Sequence, residues 1–263
     1  MKRYVLIGSG NVAFSIAEAL LSNGYIIEAI LARNENEGAR LAQISNAAFY
    51  SSFAQLSNLK FDCCILAISD SAILEIANQL PKIDQLVLQT SGTTSLDAII
   101  KFPNRGVFYP LQSFSKNVKV NWRDVPILVE SSNEECLVKL MELASSLSDN
   151  VRQVNGQERA YLHLSAVIAA NFSNSLLALS QEIISKNTSL DFSILKPLMT
   201  VSLEKAFALG PIAAQTGPAK RKDYSTLDKH KKLLGFSSKE AELYEQLSQL
   251  IQQQQHDYLQ GEA

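Results

Sequence analysis

The feature that most constrains the fold is a glycine-rich turn between an apolar strand and a helix near the start of the chain. Residues 4–7 have the composition of a buried strand, and residues 11–22 place apolar side chains at helical spacing. Between them, residues 8–13 read GSGNVA, which matches the G-x-G-x-x-G/A pattern of dinucleotide-binding turns. The order strand, turn, helix predicts the first βαβ unit of a doubly wound sheet.

Each small residue of this turn has a physical role in holding a pyrophosphate. Gly8 permits the tight turn, Gly10 lets the backbone approach the phosphates, and Ala13 allows close packing of helix on strand. The amino end of the helix then faces the phosphate charge. We therefore predict that the cofactor contacts Gly8, Ser9, Gly10, Asn11, Val12 and Ala13.

The first half of the chain continues to alternate short apolar runs with helical patterns. Further strands are predicted at 26–31, 61–68, 86–89, 107–110, 125–130 and 151–154, and helices at 35–43, 70–80 and 134–147. Continuous apolar strands that alternate with helices are typical of a parallel sheet covered on both faces.

The character of the sequence changes after residue 155. From there on it shows only helical patterns, at 157–186, 194–210, 226–234 and 238–259. We predict an α/β protein with two domains: a doubly wound, parallel-sheet Rossmann domain over residues 1–155, and an all-α helical domain over residues 156–263.

The end of the second strand indicates which dinucleotide is bound. NAD sites usually carry an acidic residue there to hold the ribose 2′-hydroxyl, whereas this chain has Arg33 and Asn34. The guanidinium can pair with a 2′-phosphate, and the amide can donate to it. The pattern favours NADP(H), although a solvated surface arginine is the alternative interpretation.

The carboxyl ends of the other strands form the rim of the ligand crevice in such a sheet. Ser69 and the pair Ser91 and Gly92 occupy these ends, and we predict that they contact the cofactor. Asp70 is predicted to cap the helix that follows it.

Two segments of the second half carry candidate substrate contacts. His163, Val167, Asn171, Asn174 and Ala178 share one stripe at 100° per residue, which indicates either a substrate site or an interhelical or dimer seam. The basic residues Lys220 and Arg221 follow a Gly-Pro turn, where they form either an anion site or a solvated loop. Beyond them, Ser225 and Asp228 have the spacing of a capping box.

Composition excludes several classes of partner. The net charge of −2 and the sequence pI of about 6.0 do not suit a nucleic-acid-binding domain, and no uninterrupted apolar run has the length of a membrane span. Three cysteines, at 63, 64 and 136, are predicted to be buried free thiols, and no Cys/His spacing indicates a metal site. We expect a cytoplasmic protein with no membrane or nucleic-acid partner.

The chain resembles a family of Rossmann-like proteins described as proposed NADP oxidoreductases with an all-helical C-terminal domain. These are similar to pyrroline-5-carboxylate reductase and to the deazaflavin-dependent NADP reductases. The resemblance covers nearly the whole chain, and it depends on the segments at 8–13, 91–92, 106–114 (GVFYPLQSF), 161–171 (YLHLSAVIAAN) and 216–223 (TGPAKRKD). One departure is Tyr109, which stands where the family pattern usually has histidine.

The resemblance implies a hydride-transfer enzyme that works as a homodimer through the helical domain. By position, His163 and Asn171 are the catalytic candidates, with histidine as the acid/base, and Tyr109 would bind substrate by hydrogen bonding. Lys220 and Arg221 would hold a substrate carboxylate. The predicted reaction moves a hydride between NADP(H) and a small polar imine or carbonyl compound. The alternatives are a non-catalytic dinucleotide-binding sensor or regulator, and hydride exchange with a deazaflavin.

Overall fold

The fold is described from a computed structural model of the protein, which covers residues 1–116, 118–235 and 238–261. Eight strands form one sheet in the order β3-β2-β1-β4-β5-β6-β7-β8. The strands are β1 (Arg3–Ile7), β2 (Ile26–Leu31), β3 (Ala48–Tyr50), β4 (Cys63–Leu66), β5 (Leu86–Gln89), β6 (Arg105–Pro110), β7 (Ile127–Ser131) and β8 (Val151–Gln153). The reversal of strand order at β1 and β4 is the switch point at which doubly wound sheets bind ligands.

The sheet is parallel except at one pairing. All neighbours from β3 to β6 are parallel, as are β7 and β8, but β6 and β7 run antiparallel. A parallel pair needs a long crossover connection, usually a helix. Within the described part of the segment between these two strands, the structure has only the short 3₁₀ helix Trp122–Asp124, so the chain returns in the opposite direction.

Helices cover both faces of the sheet, because successive residues of each buried strand point to opposite sides. Tyr4 and Leu6 of β1 pack into one core cluster, and Val5 and Ile7 pack into the other. The covering helices are α1 (Asn11–Ser22), α2 (Glu35–Ser45), α3 (Asp70–Gln79) and α4 (Glu134–Leu147). The predicted Rossmann fold is confirmed.

The rest of the chain is helical. Its helices are α5 (Gly156–Ala166), a π-helix (Val167–Phe172), α6 (Ser173–Asn187), α7 (Lys196–Leu209), α8 (Pro211–Ala214), α9 (Tyr224–Leu234) and α10 (Lys239–Gln260). The chain divides into two compact units, Met1–Asn174 and Ser175–Ala263. The predicted boundary at 155/156 coincides with the change from sheet to helix. The boundary between the two compact units lies later in the chain, after Asn174, because α5 belongs to the first unit.

The second unit has few buried side chains. Among its described residues, the buried apolar ones are Ala219, Leu227 and Ala241. Within this unit α10 packs along α9, where His230 Nδ1 lies 2.7 Å from Tyr244 Oη, and it meets α8 through a hydrogen bond from Gln255 to the Ile212 carbonyl.

Several local predictions were wrong. Strand β3 and the helix α8 were not predicted, because three- and four-residue elements carry almost no periodicity. The predicted capping box of Ser225 and Asp228 does not form. Asp223 caps α9 instead, by accepting from the Thr226 backbone N–H at 3.1 Å and from its hydroxyl.

Among the described residues, the helical run Gly156–Asn187 contains an 18-residue window with a mean hydropathy of 1.4, which is long and apolar enough to cross a membrane by length and composition alone. Its first turns hold the ion-paired Arg159 and the hydrogen-bonded His163 against the sheet.

Candidate active site

A cavity of about 650 Å³ opens at the carboxyl ends of β1, β2 and β4. It is lined by the glycine-rich turn and by the ends of the neighbouring strands, including Gly8, Ser9, Gly10, Asn11, Val12, Arg33, Asn34 and Ser69. Ala13 lies behind the turn and is buried in the core. The structure therefore brings together the predicted residues of the turn, of β2 and of β4 in one place.

The glycine-rich turn is fixed by a close backbone approach. Gly8 has a φ of +122°, and a Cβ there would lie 2.2 Å from the Ala67 carbonyl oxygen. Only glycine tolerates both the dihedral angle and the contact. A Cβ on Gly10, by contrast, would meet no atom of the described residues within 4 Å, because this residue faces the open cavity.

The amino end of α1 is built to receive a negatively charged group. Gly10 is its N-cap residue, no side chain among the described residues caps the exposed N–H groups, and no acidic residue stands in the first turn. Uncapped N–H groups and the positive end of the helix dipole both attract phosphate. The residues present therefore fit a dinucleotide pyrophosphate.

Arg33 and Asn34 follow β2 at the edge of the cavity. Arg33 is exposed and forms no ion pair with the described residues. Asn34 caps α2 through its carbonyl oxygen, which accepts from the Glu37 backbone N–H at 3.1 Å. Its amide N–H groups remain as donors, so both residues can present donors to an anion.

The ends of β4 and β5 are joined by a hydrogen bond that the sequence did not reveal. Ser69, not Asp70, is the N-cap residue of α3, which corrects the predicted capping role of Asp70. The Asp70 carboxylate instead accepts from the Thr93 hydroxyl at 2.8 Å. It thus brings a negative charge to the rim of the cavity.

His163 lies against Gly92. A Cβ on Gly92 would be 2.6 Å from His163 Nδ1 and 2.9 Å from its Cβ, closer than side chains pack. Ser91 beside it is buried, and its hydroxyl accepts from the Thr93 and Thr94 backbone N–H groups. The missing side chain of Gly92 is therefore what lets the imidazole approach the end of β5.

Tyr109 on β6 holds the same imidazole. Its hydroxyl lies 2.8 Å from His163 Nδ1, and the two rings meet edge to face. Burial raises the pKa of Tyr109, the Asp70 carboxylate raises it further, and Arg159 lowers it. Because the net shift is upward, the phenol keeps its proton at neutral pH.

The remaining predicted residues are Asn171, Lys220 and Arg221. Asn171 lines a separate cavity of about 460 Å³ with Ser113, Ala170 and Asn174. It lies in the π-helix, where the i→i+5 pattern alters the predicted stripe. Lys220 and Arg221 belong to the second unit, where the Lys220 ammonium reaches the Ala213 carbonyl at 3.5 Å and Arg221 is exposed.

Sequence reasoning also missed three contributors to the first cavity and its surroundings. Phe53 and Phe114 line the cavity. Phe114 stacks on Trp122, and its carbonyl accepts from the Asn11 amide at 3.1 Å. Arg159, one turn before His163, is fully buried. No periodic signal identifies these contacts, since they link distant parts of the chain.

A Rossmann sheet with an uncapped, glycine-bounded helix amino end is typical of a dinucleotide-binding protein. Comparisons with known proteins agree. Residues 3–91 match the family described as NADP oxidoreductase, coenzyme F420-dependent, and residues 125–251 match a domain of unknown function, DUF2520. No match was found among the curated proteins.

The chain is 32% identical to a proposed NADP oxidoreductase from Bacteroides fragilis, with a TM-score of 0.88 over 96% of this chain and 98% of that one. It belongs to this family of Rossmann NADP oxidoreductases with a DUF2520 C-terminal domain, and its cofactor is NADP.

More distant structures share the fold. A protein from Thermotoga maritima is 22% identical, with a TM-score of 0.72 over 97% of this chain and 99% of that one. A reductive aminase from Aspergillus terreus, solved in complex with NADPH and ethyl levulinate, is 12% identical, with a TM-score of 0.71 over 96% and 93% of the two chains.

Proposed function

We propose that this protein transfers a hydride between NADP(H) and a small polar imine or carbonyl compound. The observation that carries the proposal is the pairing of His163 with Tyr109 against Gly92, at the end of β5. In a Rossmann sheet this edge borders the ligand crevice. An acid/base group there suits a reaction in which hydride delivery must be matched by a proton. The fold shared with the reductive aminase supports the same reaction class.

The cofactor residues follow from the cavity. We assign the pyrophosphate to the turn Gly8, Ser9, Gly10, Asn11, Val12 and Ala13, and the 2′-phosphate to Arg33 and Asn34. Ser69, Ser91 and Gly92 would border the nicotinamide half. NADPH, when bound, supplies the hydride; the chain's own residues bind, orient and supply the proton.

We assign the proton donor by hydrogen-bond direction. Tyr109 keeps its proton because its pKa is raised, so its hydroxyl donates to His163 Nδ1 and the ring proton stands on Nε2. As the adjacent carbon gains the hydride, His163 Nε2 would give this proton to the substrate nitrogen or oxygen, and Nδ1 would take the proton of the Tyr109 hydroxyl. The imidazole then stays neutral, and the Tyr109 phenolate recovers its proton from solvent. Asn171 would orient the substrate, and Lys220 or Arg221 would hold a carboxylate if the substrate has one.

We also propose that the active form is a homodimer through the helical part of the chain. Helices α6 and α7 have no buried residue, and Leu198, Leu203 and Phe207 of α7 are all more than half exposed. A unit with so few buried side chains cannot offset its conformational entropy alone, and a second copy offers the same apolar surface. The proposed location is the cytoplasm, where its three free thiols stay reduced.

The first test is titration calorimetry with NADPH and NADH on the wild type and on Arg33→Ala. We expect NADPH to bind at least about tenfold tighter, a difference of roughly 1.4 kcal/mol, and the preference to vanish in the variant. Arg123→Ala, which removes an exposed arginine paired with Asp149, is the matched control and should keep the preference.

The second test is a screen of imines, ketones and aldehydes, with the absorbance of NADPH as the readout. A substrate should be reduced by the wild type and lost in His163→Ala, with NADPH affinity kept. Tight NADPH binding without turnover of any compound would contradict the enzymatic proposal and favour a non-catalytic regulator.

A further inference from the structure

The first unit contains one arginine that is completely buried. Arg159, in the first turns of α5, is 0% exposed, which is rare for a charged side chain without a specific partner. It forms an ion pair with Glu130 of β7, and it donates from Nη2 to the Thr94 carbonyl at 2.7 Å. Its Nε is buried without a hydrogen-bond partner among the described residues.

Side-chain hydrogen bonds fix the conformation of the loop that Arg159 binds. The Gln89 side chain donates to the same Thr94 carbonyl at 3.0 Å and accepts from the Ser91 backbone N–H at 2.6 Å. The Ser91 hydroxyl accepts from the Thr94 backbone N–H at 2.9 Å. Arg159 therefore binds a loop whose shape is already set, and this loop contains Gly92.

Arg159 and His163 are four residues apart on one helix, so they lie on the same face one turn from each other. His163 packs so closely against Gly92 that not even a methyl group would fit between them. The imidazole therefore has no room to move toward the loop. A shift of the first turn of α5 would therefore move the imidazole relative to both Gly92 and Tyr109.

We infer that Arg159 and Glu130 form a positioning pair, which anchors α5 to the loop after β5 and to β7 and so sets where His163 presents its proton. The inference rests on the proposed function. In this role, neither Arg159 nor Glu130 contacts the substrate. A purely structural ion pair is the competing explanation, since a buried pair can often be replaced by apolar residues without loss of stability.

Kinetics of three variants separate the two explanations. Arg159→Lys keeps the charge but not the two-pronged geometry, and Glu130→Gln keeps an acceptor but not the charge. We expect kcat to fall at least about tenfold in both, since small displacements of a catalytic group are costly, while KM and the NADPH dissociation constant change less than about threefold. The matched control is Arg105→Lys, which alters another arginine with a buried, unpartnered Nε at the start of β6; it should leave all three constants unchanged.

A direct readout keeps the inference testable without turnover. The chain has three histidines, so ¹⁵N resonances of His163 can be assigned by comparison with His163→Gln. In Arg159→Lys we expect the Nδ1 signal to lose the signature of its hydrogen bond to Tyr109, and in Arg105→Lys we expect it to be unchanged. This measurement needs no substrate. It therefore tests the positioning role of Arg159 even if the substrate screen finds no substrate and the proposed function fails.

A double variant covers the case in which single changes unfold the protein. Arg159→Met with Glu130→Leu removes both charges together, so no unpaired charge is left buried. We expect it to fold, to bind NADPH and to show the reduced kcat and the altered His163 signal. A folded double variant with wild-type kcat and an unchanged His163 spectrum would overturn the inference.

Discussion

The imidazole of His163, the proposed acid/base, fits against the end of β5 because residue 92 has no side chain. The imidazole occupies the volume that any Cβ at position 92 would need. It is held on its other side by the Tyr109 hydroxyl. The position of the histidine is thus set by a residue that contributes no functional group of its own.

We predict that Gly92→Ala impairs chemistry more than cofactor binding. The new methyl group would lie 2.6 Å from His163 Nδ1, so the ring must move and its contact with Tyr109 must break. We expect kcat to fall by about a hundredfold, the scale of a misplaced catalytic group, with NADPH affinity within about threefold of the wild type by calorimetry.

The control for this prediction is Gly156→Ala. A Cβ there would lie at ordinary contact distances, 3.7 Å from the Glu130 carboxylate and 3.8 Å from Arg159 Nη2, so the ion pair and the activity should be kept. An active Gly92→Ala enzyme, with the His163 spectrum of the wild type, would contradict the role given to the contact.

At the scale of elements, the sheet was largely predictable and its irregularities were not. The apolar runs at β1, β2, β4 and β5 located the strands, because buried parallel strands are continuously apolar. The antiparallel β7 could have been foreseen, since no helical pattern separates it from β6. The π-helix at Val167–Phe172 could not, because the sequence shows ordinary helical spacing.

In the candidate site too, some features could be predicted from the sequence and others could not. Glycine-rich turns and polar residues at strand ends have sequence signatures. The burial of Arg159 has none, because an arginine in an amphipathic helix is normally solvated. Its partners Glu130 and Thr94 come from elements that only the folded sheet brings together.

The two cysteines of strand β4 predict how the free energy of unfolding depends on pH. Cys63 and Cys64 are both 0% exposed, and burial raises the pKa of each thiol. Thiols in the unfolded chain ionise near pH 8.5. Since the folded-state pKa is the higher one, the stabilisation is complete below about pH 8.5 and is lost as pH rises above it.

From this we expect the free energy of unfolding to fall by about 2–3 kcal/mol between pH 7.5 and 9.5, from two thiols at about 1.4 kcal/mol for each pH unit above 8.5. Urea denaturation across this range measures it. The variant with Cys63→Val and Cys64→Val keeps apolar, strand-forming side chains and should show a much flatter dependence. An equal fall in both proteins would refute the assignment to these thiols.

At the scale of the whole molecule, the proposed homodimer depends on the exposed apolar surface of α7. Phe207 of α7 is 91% exposed and Leu198 is 63% exposed. Side chains of this kind, repeated along helices without buried residues, are typical of interfaces rather than of monomer surfaces.

We predict that the wild type is a dimer by light scattering and that Leu198→Glu together with Phe207→Glu dissociates it. A charge buried in an apolar interface has no partner, and its desolvation opposes association. Ile100→Glu changes a residue of similar exposure, 65%, in the sheet-containing unit and should remain dimeric. A wild type that stays monomeric at micromolar concentration would exclude the homodimer.

The helical run Gly156–Asn187 also determines which parts of the candidate site a fragment of this chain would keep. The sheet is complete at Gln153, yet Arg159 and His163 lie on the helical run that follows, and the division of the chain into two compact units falls inside α6 rather than in a loop. A fragment that ends with the sheet would keep the glycine-rich turn but lose the histidine. Recombination at the end of the sheet would therefore separate nucleotide binding from the proposed acid/base, whereas a cut after the helical run would keep them together.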